Sequence, residues 1–158
     1  AKIKKFSNQI KLIFSGFSES GEAEMKIMDF IRDKDNKING SICIYSPDAD
    51  VILLALLIET KSIVHLLRHD QQKSEKFKQN GDYVYNLVKI NDLRNAIYNF
   101  INKNRTNNQK LNLDIQKTIN DVVFLFTILG DDFLHKIESF DVRNDINVIL
   151  NTSLDGLG

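Results

Sequence analysis

The sequence holds one cysteine, one proline, no excess of either charge and no long apolar run. A lone cysteine excludes an internal disulfide. Cys43 sits in an apolar, strand-like stretch, which fits a reducing, intracellular compartment or simple core packing and argues against a thiol nucleophile. The 21 basic and 21 acidic residues cancel, so there is no general electrostatic pull toward nucleic acid or a membrane surface. Any contact with a polyanion must come from a local patch or a bound metal. Apolar runs such as Val51 to Ile58 fall far short of the ~20 residues that cross a bilayer, and no membrane partner is expected. The amino terminus, Ala1-Lys-Ile-Lys-Lys-Phe6, has neither the apolar region of a signal peptide nor an initiator methionine, which suggests a processed, tagged or excised segment. At 158 residues the chain suffices for one domain with one sizeable core. No repeat or linker divides it, so residues 1–158 read as a single domain with polar, aperiodic loops at about 70–81 and 103–112.

The chain is organised around Ser41-Ile-Cys-Ile-Tyr-Ser-Pro-Asp48-Ala-Asp50-Val-Ile-Leu-Leu. Ile42 to Tyr45 are β-prone and read as a buried strand that Pro47 stops. Val51, Leu54, Ala55 and Ile58 then follow helical spacing. Asp48 and Asp50 therefore stand where a strand's carboxyl end passes into a helix, the place where open α/β sheets put their sites. Helix capping is the competing reading, with Asp48 as N-cap and Asp50 favourable to the dipole.

Two further acidic groups leave hydrophobic elements in the same way. Gly21-Glu22-Ala-Glu24 follows an apolar run, Ile10 to Phe14, that reads as a first strand, and Gly130-Asp131-Asp132 follows Val122 to Leu129. Carboxylates a few ångströms apart repel by roughly 1 to 4 kcal/mol per pair, depending on the local dielectric. Divalent cations with oxygen ligands are the usual remedy. Gly21 to Arg32 reads as an amphipathic helix, on which Glu22 and Glu24 project roughly 200° apart. Both reach one site only if Glu22 lies in the first, irregular turn. Ile63 to Leu67 reads as a strand carrying a half-buried structural His65, Tyr83 to Val88 as another, and Ile90 to Asn102 and Ile115 to Leu129 as helices, the latter capped by Gly130. Alternating strands and helices favour an α/β layered fold.

Four motifs in order, Phe14-Ser-Gly, Gly21-Glu-Ala-Glu-Met-Lys-Ile-Met-Asp-Phe-Ile-Arg32, Ile44-Tyr-Ser-Pro-Asp-Ala-Asp-Val-Ile-Leu-Leu54 and Asp121-Val-Val-Phe-Leu-Phe-Thr-Ile-Leu-Gly-Asp-Asp-Phe-Leu134, resemble the conserved core of the XRN-type 5′→3′ exoribonucleases. The order matches from Phe14 to about Arg143. The resemblance implies the latter portion of that family's N-terminal catalytic region. It implies an α/β fold with a central, mostly parallel sheet flanked by helices, a PIN/FEN-like nuclease core, incomplete without an upstream segment. It further implies an Mg²⁺-dependent enzyme, with Mn²⁺ possible, that removes nucleotides from RNA bearing a 5′ monophosphate. Glu22, Glu24, Asp48, Asp50 and Asp132 carry over as the metal-site acids. Two metals about 4 Å apart can supply an attacking hydroxide, neutralise phosphoryl charge and stabilise the leaving 3′ oxygen.

The sequence departs from the family at Met25, where His is usual, at Pro47, where Leu is usual, and at His135-Lys136, where Pro-His is usual. The family's further metal-binding aspartates and basic 5′-phosphate pocket come from a segment that nothing before Ile10 supplies. This stretch alone is therefore expected to be inactive, with the upstream part in cis or in trans. A flap-endonuclease-like nuclease and a non-catalytic, nuclease-derived scaffold remain as alternatives.

Overall fold

Alternation along the strands decides which side of the sheet is buried. In β1 (Ser41–Tyr45) and β2 (Ile63–His69), Ile44, Val64 and Leu66 are buried, whereas Tyr45 and Ile63 on the opposite face are exposed. The register sets Ile44 beside Leu66 and Tyr45 beside Leu67 in a parallel pair. β3 (Tyr85–Lys89) completes the order β1-β2-β3 and runs antiparallel to β2, with Val88 beside Leu66. The computed structural model describes residues 11–33, 36, 38–70, 83–104 and 114–128, so the polar loops expected near 70–81 and 103–112 fall almost wholly outside the described residues.

Four helices cover the buried face among the described residues: α1 (Ala23–Arg32), α2 (Asp50–Leu56), α3 (Ile90–Asn104) and α4 (Ile115–Ile128). Their apolar stripes meet in one cluster. Met28 comes from α1, Val51, Ala55 and Leu56 from α2, Ile90 from α3, and Ile119 and Val123 from α4, all packed with Ile44, Val64 and Leu66. Removing one such side chain from water contributes roughly 1.5 to 3 kcal/mol. α2 is the crossover that lets β1 and β2 run parallel. Its carboxyl end is held by α3, where Arg94 Nη1 donates to the Ile58 carbonyl at 3.1 Å.

Three expectations need correcting. The described sheet is small and mixed rather than mostly parallel, and the described helices lie on one face of it. The apolar run ending at Phe14 does not form a strand over residues 11–14; Leu12, Ile13 and Phe14 stay exposed, since apolar character without a partner strand makes no ladder. Cys43 is exposed rather than core, because alternation places it on the uncovered face with Tyr45.

Gly21 turns the chain into α1 with φ +97°, a left-handed conformation that side-chain-bearing residues disfavour. A Cβ there would meet only Lys26 side-chain carbons at 3.8 and 4.0 Å, so the penalty is one of backbone rather than space. Gly21→Ala is expected to lower stability by about 1 to 2 kcal/mol, read from the urea midpoint. The incoming loop is tied to α1 by Lys26, whose ammonium donates to the Glu19 and Gly16 carbonyls at 2.7 and 3.2 Å.

Candidate active site

The turn between β1 and α2 is built from a chain of local hydrogen bonds. The Ser46 N–H donates to the Leu67 carbonyl at 3.3 Å, extending the β1/β2 ladder by one residue. Pro47 has no N–H to continue it. The buried Ser46 then accepts the Asp48 N–H on its Oγ at 3.1 Å, and Asp48 Oδ1 accepts the Asp50 N–H at 3.0 Å. Asp48 thus serves the first residue of α2, while Ala49 is the N-cap and makes no side-chain cap bond. The capping reading holds in kind but is displaced by one residue, and it leaves Asp50 in the first helical turn.

The other wall comes from the start of α1. Glu22 is the N-cap, extended at φ −74° and ψ 157°, and its side chain does not cap the helix. Glu24 lies in the first turn. With Glu22 outside the helix, the 200° separation of an ideal helix does not apply, and both glutamates face one space.

That space is a cleft of about 720 Å³ lined by Glu22, Glu24, Asp48 and Asp50, with Leu53, Leu54, Leu57, Val123 and Thr127 among its other residues. Four of the five acids expected to act together therefore share one cavity. Asp132 lies outside the described residues, as do Gly130, Asp131 and His135. α4, whose sequence leads on to Asp132, contributes Val123 and Thr127 to the same cleft. His65 is half-buried in β2, as expected of a structural histidine.

The donor set is all carboxylate, which suits a hard divalent cation and not a thiolate- or imidazole-seeking one. Among the described residues no three His, Cys, Asp or Glu stand close enough to hold a metal ion. The described acids thus match such a cation in chemistry without forming a closed ligand shell. Sequence reasoning missed the helix α4 contribution and two supports of the turn, Ser46 and Arg68. For Arg68 a signal was available, since it continues the buried Val64, Leu66 alternation with a charged group.

An α/β layer with an acidic cleft where a strand hands over to a helix defines the class. Residues 1–70, which include Glu22, Glu24, Asp48 and Asp50, match the family model for the XRN 5′-3′ exonuclease N-terminus. Over nearly its whole length the chain is similar to XRN-type 5′→3′ exonucleases. It is 34% identical over 148 residues to a protein of Acanthamoeba polyphaga mimivirus provisionally named a 5′-3′ exonuclease, covering 94% of this chain and 23% of that protein. Against 5′-3′ exoribonuclease 2 of Yarrowia lipolytica the identity is 33% over 153 residues, covering 94% of this chain and 15% of that protein. Against 5′-3′ exoribonuclease 1 of Homo sapiens it is 27% over 145 residues, covering 86% and 8%. The chain thus spans less than a quarter of the length of these relatives. Among the described residues no helix is long and apolar enough to cross a membrane.

Proposed function

We propose that this chain supplies the acidic cleft of a PIN/FEN-like nuclease core, in an intracellular enzyme that hydrolyses 5′-monophosphorylated RNA from its 5′ end. The observation that carries this reading is the convergence of Glu22, Glu24, Asp48 and Asp50 on one cavity from two separate elements. The exoribonuclease names of the relatives supply the choice of RNA and of direction. Asp48, Asp50 and Asp132 are assigned to direct cation contacts, and Glu22 and Glu24 to the cation or its water.

Bound there, Mg²⁺ or Mn²⁺ would lower the pKa of the attacking water and offset the charge growing on the phosphate. Asp48 uses Oδ1 on the Asp50 N–H, so Oδ2 is the oxygen assigned to the cation. Leu53, Leu54, Leu57 and Val123 thin the water around the acids, which strengthens their attraction for a divalent charge. An upstream segment, in the same polypeptide or on another chain, completes the acids and supplies the basic pocket for the 5′ phosphate. Without it the cleft is expected to be silent.

The test is degradation of single-stranded RNA by the full polypeptide that contains this chain. A 5′-monophosphorylated RNA is expected to shorten from its 5′ end with Mg²⁺, to persist with EDTA, and to be strongly preferred over its 5′-hydroxyl counterpart. Metal-independent cleavage, or internal cuts without regard to the 5′ group, contradicts the reading. A non-catalytic scaffold is favoured by one observation, the lack of three closely spaced ligands among the described residues, and it predicts no shortening under any of these conditions.

A further inference from the structure

Arg68 ends the buried alternation of β2: Val64 and Leu66 are core, and the next residue on that face is a partly buried arginine at the carboxyl end of the strand. Its Nη2 donates to the Pro47 carbonyl at 2.9 Å. Its Nε is buried and has no hydrogen-bond partner among the described residues. A desolvated, unsatisfied donor is costly, so an aliphatic side chain would suit this face better if packing were the only demand. What the position gains from arginine is a donor on the turn.

Pro47 makes that donor consequential. Its ring locks φ, and with no N–H its carbonyl is its only backbone hydrogen-bonding group. Once the Arg68 guanidinium fixes that carbonyl, the peptide plane entering Asp48 is fixed as well. The Asp48 N–H then finds Ser46 Oγ, and the Asp50 N–H finds Asp48 Oδ1. We infer that Arg68 is a positioning residue: through the Pro47 carbonyl it holds the turn that presents Asp48 and Asp50 to the cleft. Its role in metal affinity rests on the reading of that cleft as a metal site. Its role in the turn does not.

The experiment uses the 158-residue chain and two variants, Arg68→Met, which keeps the packing stem but no donor, and Arg68→Lys, which keeps the charge but not the fork. Amide hydrogen exchange followed by NMR is the first readout. In Arg68→Met the Asp48 and Asp50 amides are expected to exchange at least about tenfold faster, with Val64 and Leu66 still protected, and Arg68→Lys is expected to recover part of the protection. Wild-type rates at Asp48 and Asp50 in Arg68→Met overturn the inference. If Arg68→Met unfolds globally, Arg68→Lys is judged by the same comparison, with faster exchange confined to the turn as support and unchanged exchange as refutation.

Mn²⁺ affinity of the full polypeptide that contains this chain is the second readout, and Arg68→Met is expected to weaken it about ten- to a hundredfold, the range for a group acting behind metal ligands. If the wild type binds no Mn²⁺ through its carboxylates, the metal reading falls. The exchange result still decides whether Arg68 holds the turn.

Discussion

Asp50→Asn, introduced into the full polypeptide, is expected to cut Mg²⁺-dependent RNA degradation by at least about a hundredfold, since loss of a group merely behind the ligands already costs about ten- to a hundredfold. The substitution is nearly isosteric. It keeps the Asp50 N–H that Asp48 Oδ1 accepts, and Asn is tolerated at a helix start. The fold should therefore survive, with an unchanged circular dichroism spectrum, while one negative charge leaves the cleft. Asp48→Asn is expected to behave alike, because the amide oxygen of Asn can still accept the Asp50 N–H. Undiminished degradation by either folded variant would remove the residue from the catalytic assignment.

The second large effect concerns stability. Leu66 is fully buried in the central strand and packs among residues from both the sheet and the helices. Leu66→Ala removes that contact area and leaves a cavity, at a cost of about 2 to 5 kcal/mol, against a total stability of about 5 to 15 kcal/mol for an ordinary domain. Leu87, beside Leu67 on the uncovered face and 62% exposed, is the control; Leu87→Ala should change stability by no more than about 0.5 kcal/mol. Urea unfolding of both variants measures the contrast. Equal losses would mean that the sheet is buried on both faces.

That one-sidedness marks the limit of what the sequence alone conveys. Helix periodicity is robust: the spacing from Ile115 to Leu129 predicts a helix that is seen over Ile115–Ile128, and the strand read at Ile42 to Tyr45 is seen as Ser41–Tyr45. Period-two alternation, by contrast, says that a strand has two unlike faces without saying whether the second is covered. Cys43 lies in an apolar run and is exposed for that reason. Strand direction was legible in principle. A parallel crossover needs a dozen or more residues, usually a helix, and the polar stretch between Arg68 and Tyr83 has no helical pattern, so β2 and β3 were bound to run antiparallel. The expected first strand failed because pairing is not a property of the segment itself.

The acidic cleft was more legible than the sheet. Each acid pair follows an abrupt change of pattern, at Gly21 and at Pro47, and such breaks are where a chain can expose carboxylates next to a core. The supports were not legible, since the bonds from the Ser46 N–H to the Leu67 carbonyl and from Arg68 to the Pro47 carbonyl depend on where β2 ends relative to β1. A register of that kind is set by packing rather than by either segment's composition.

The most direct test of the central claim is calorimetric titration with Mn²⁺ of the full polypeptide that contains this chain, beside its Asp48→Asn, Asp50→Asn double variant. Saturable binding in the wild type that disappears in the folded double variant is the predicted result. Identical titrations for the two proteins, with or without heat, would contradict the assignment of this cleft to a divalent cation.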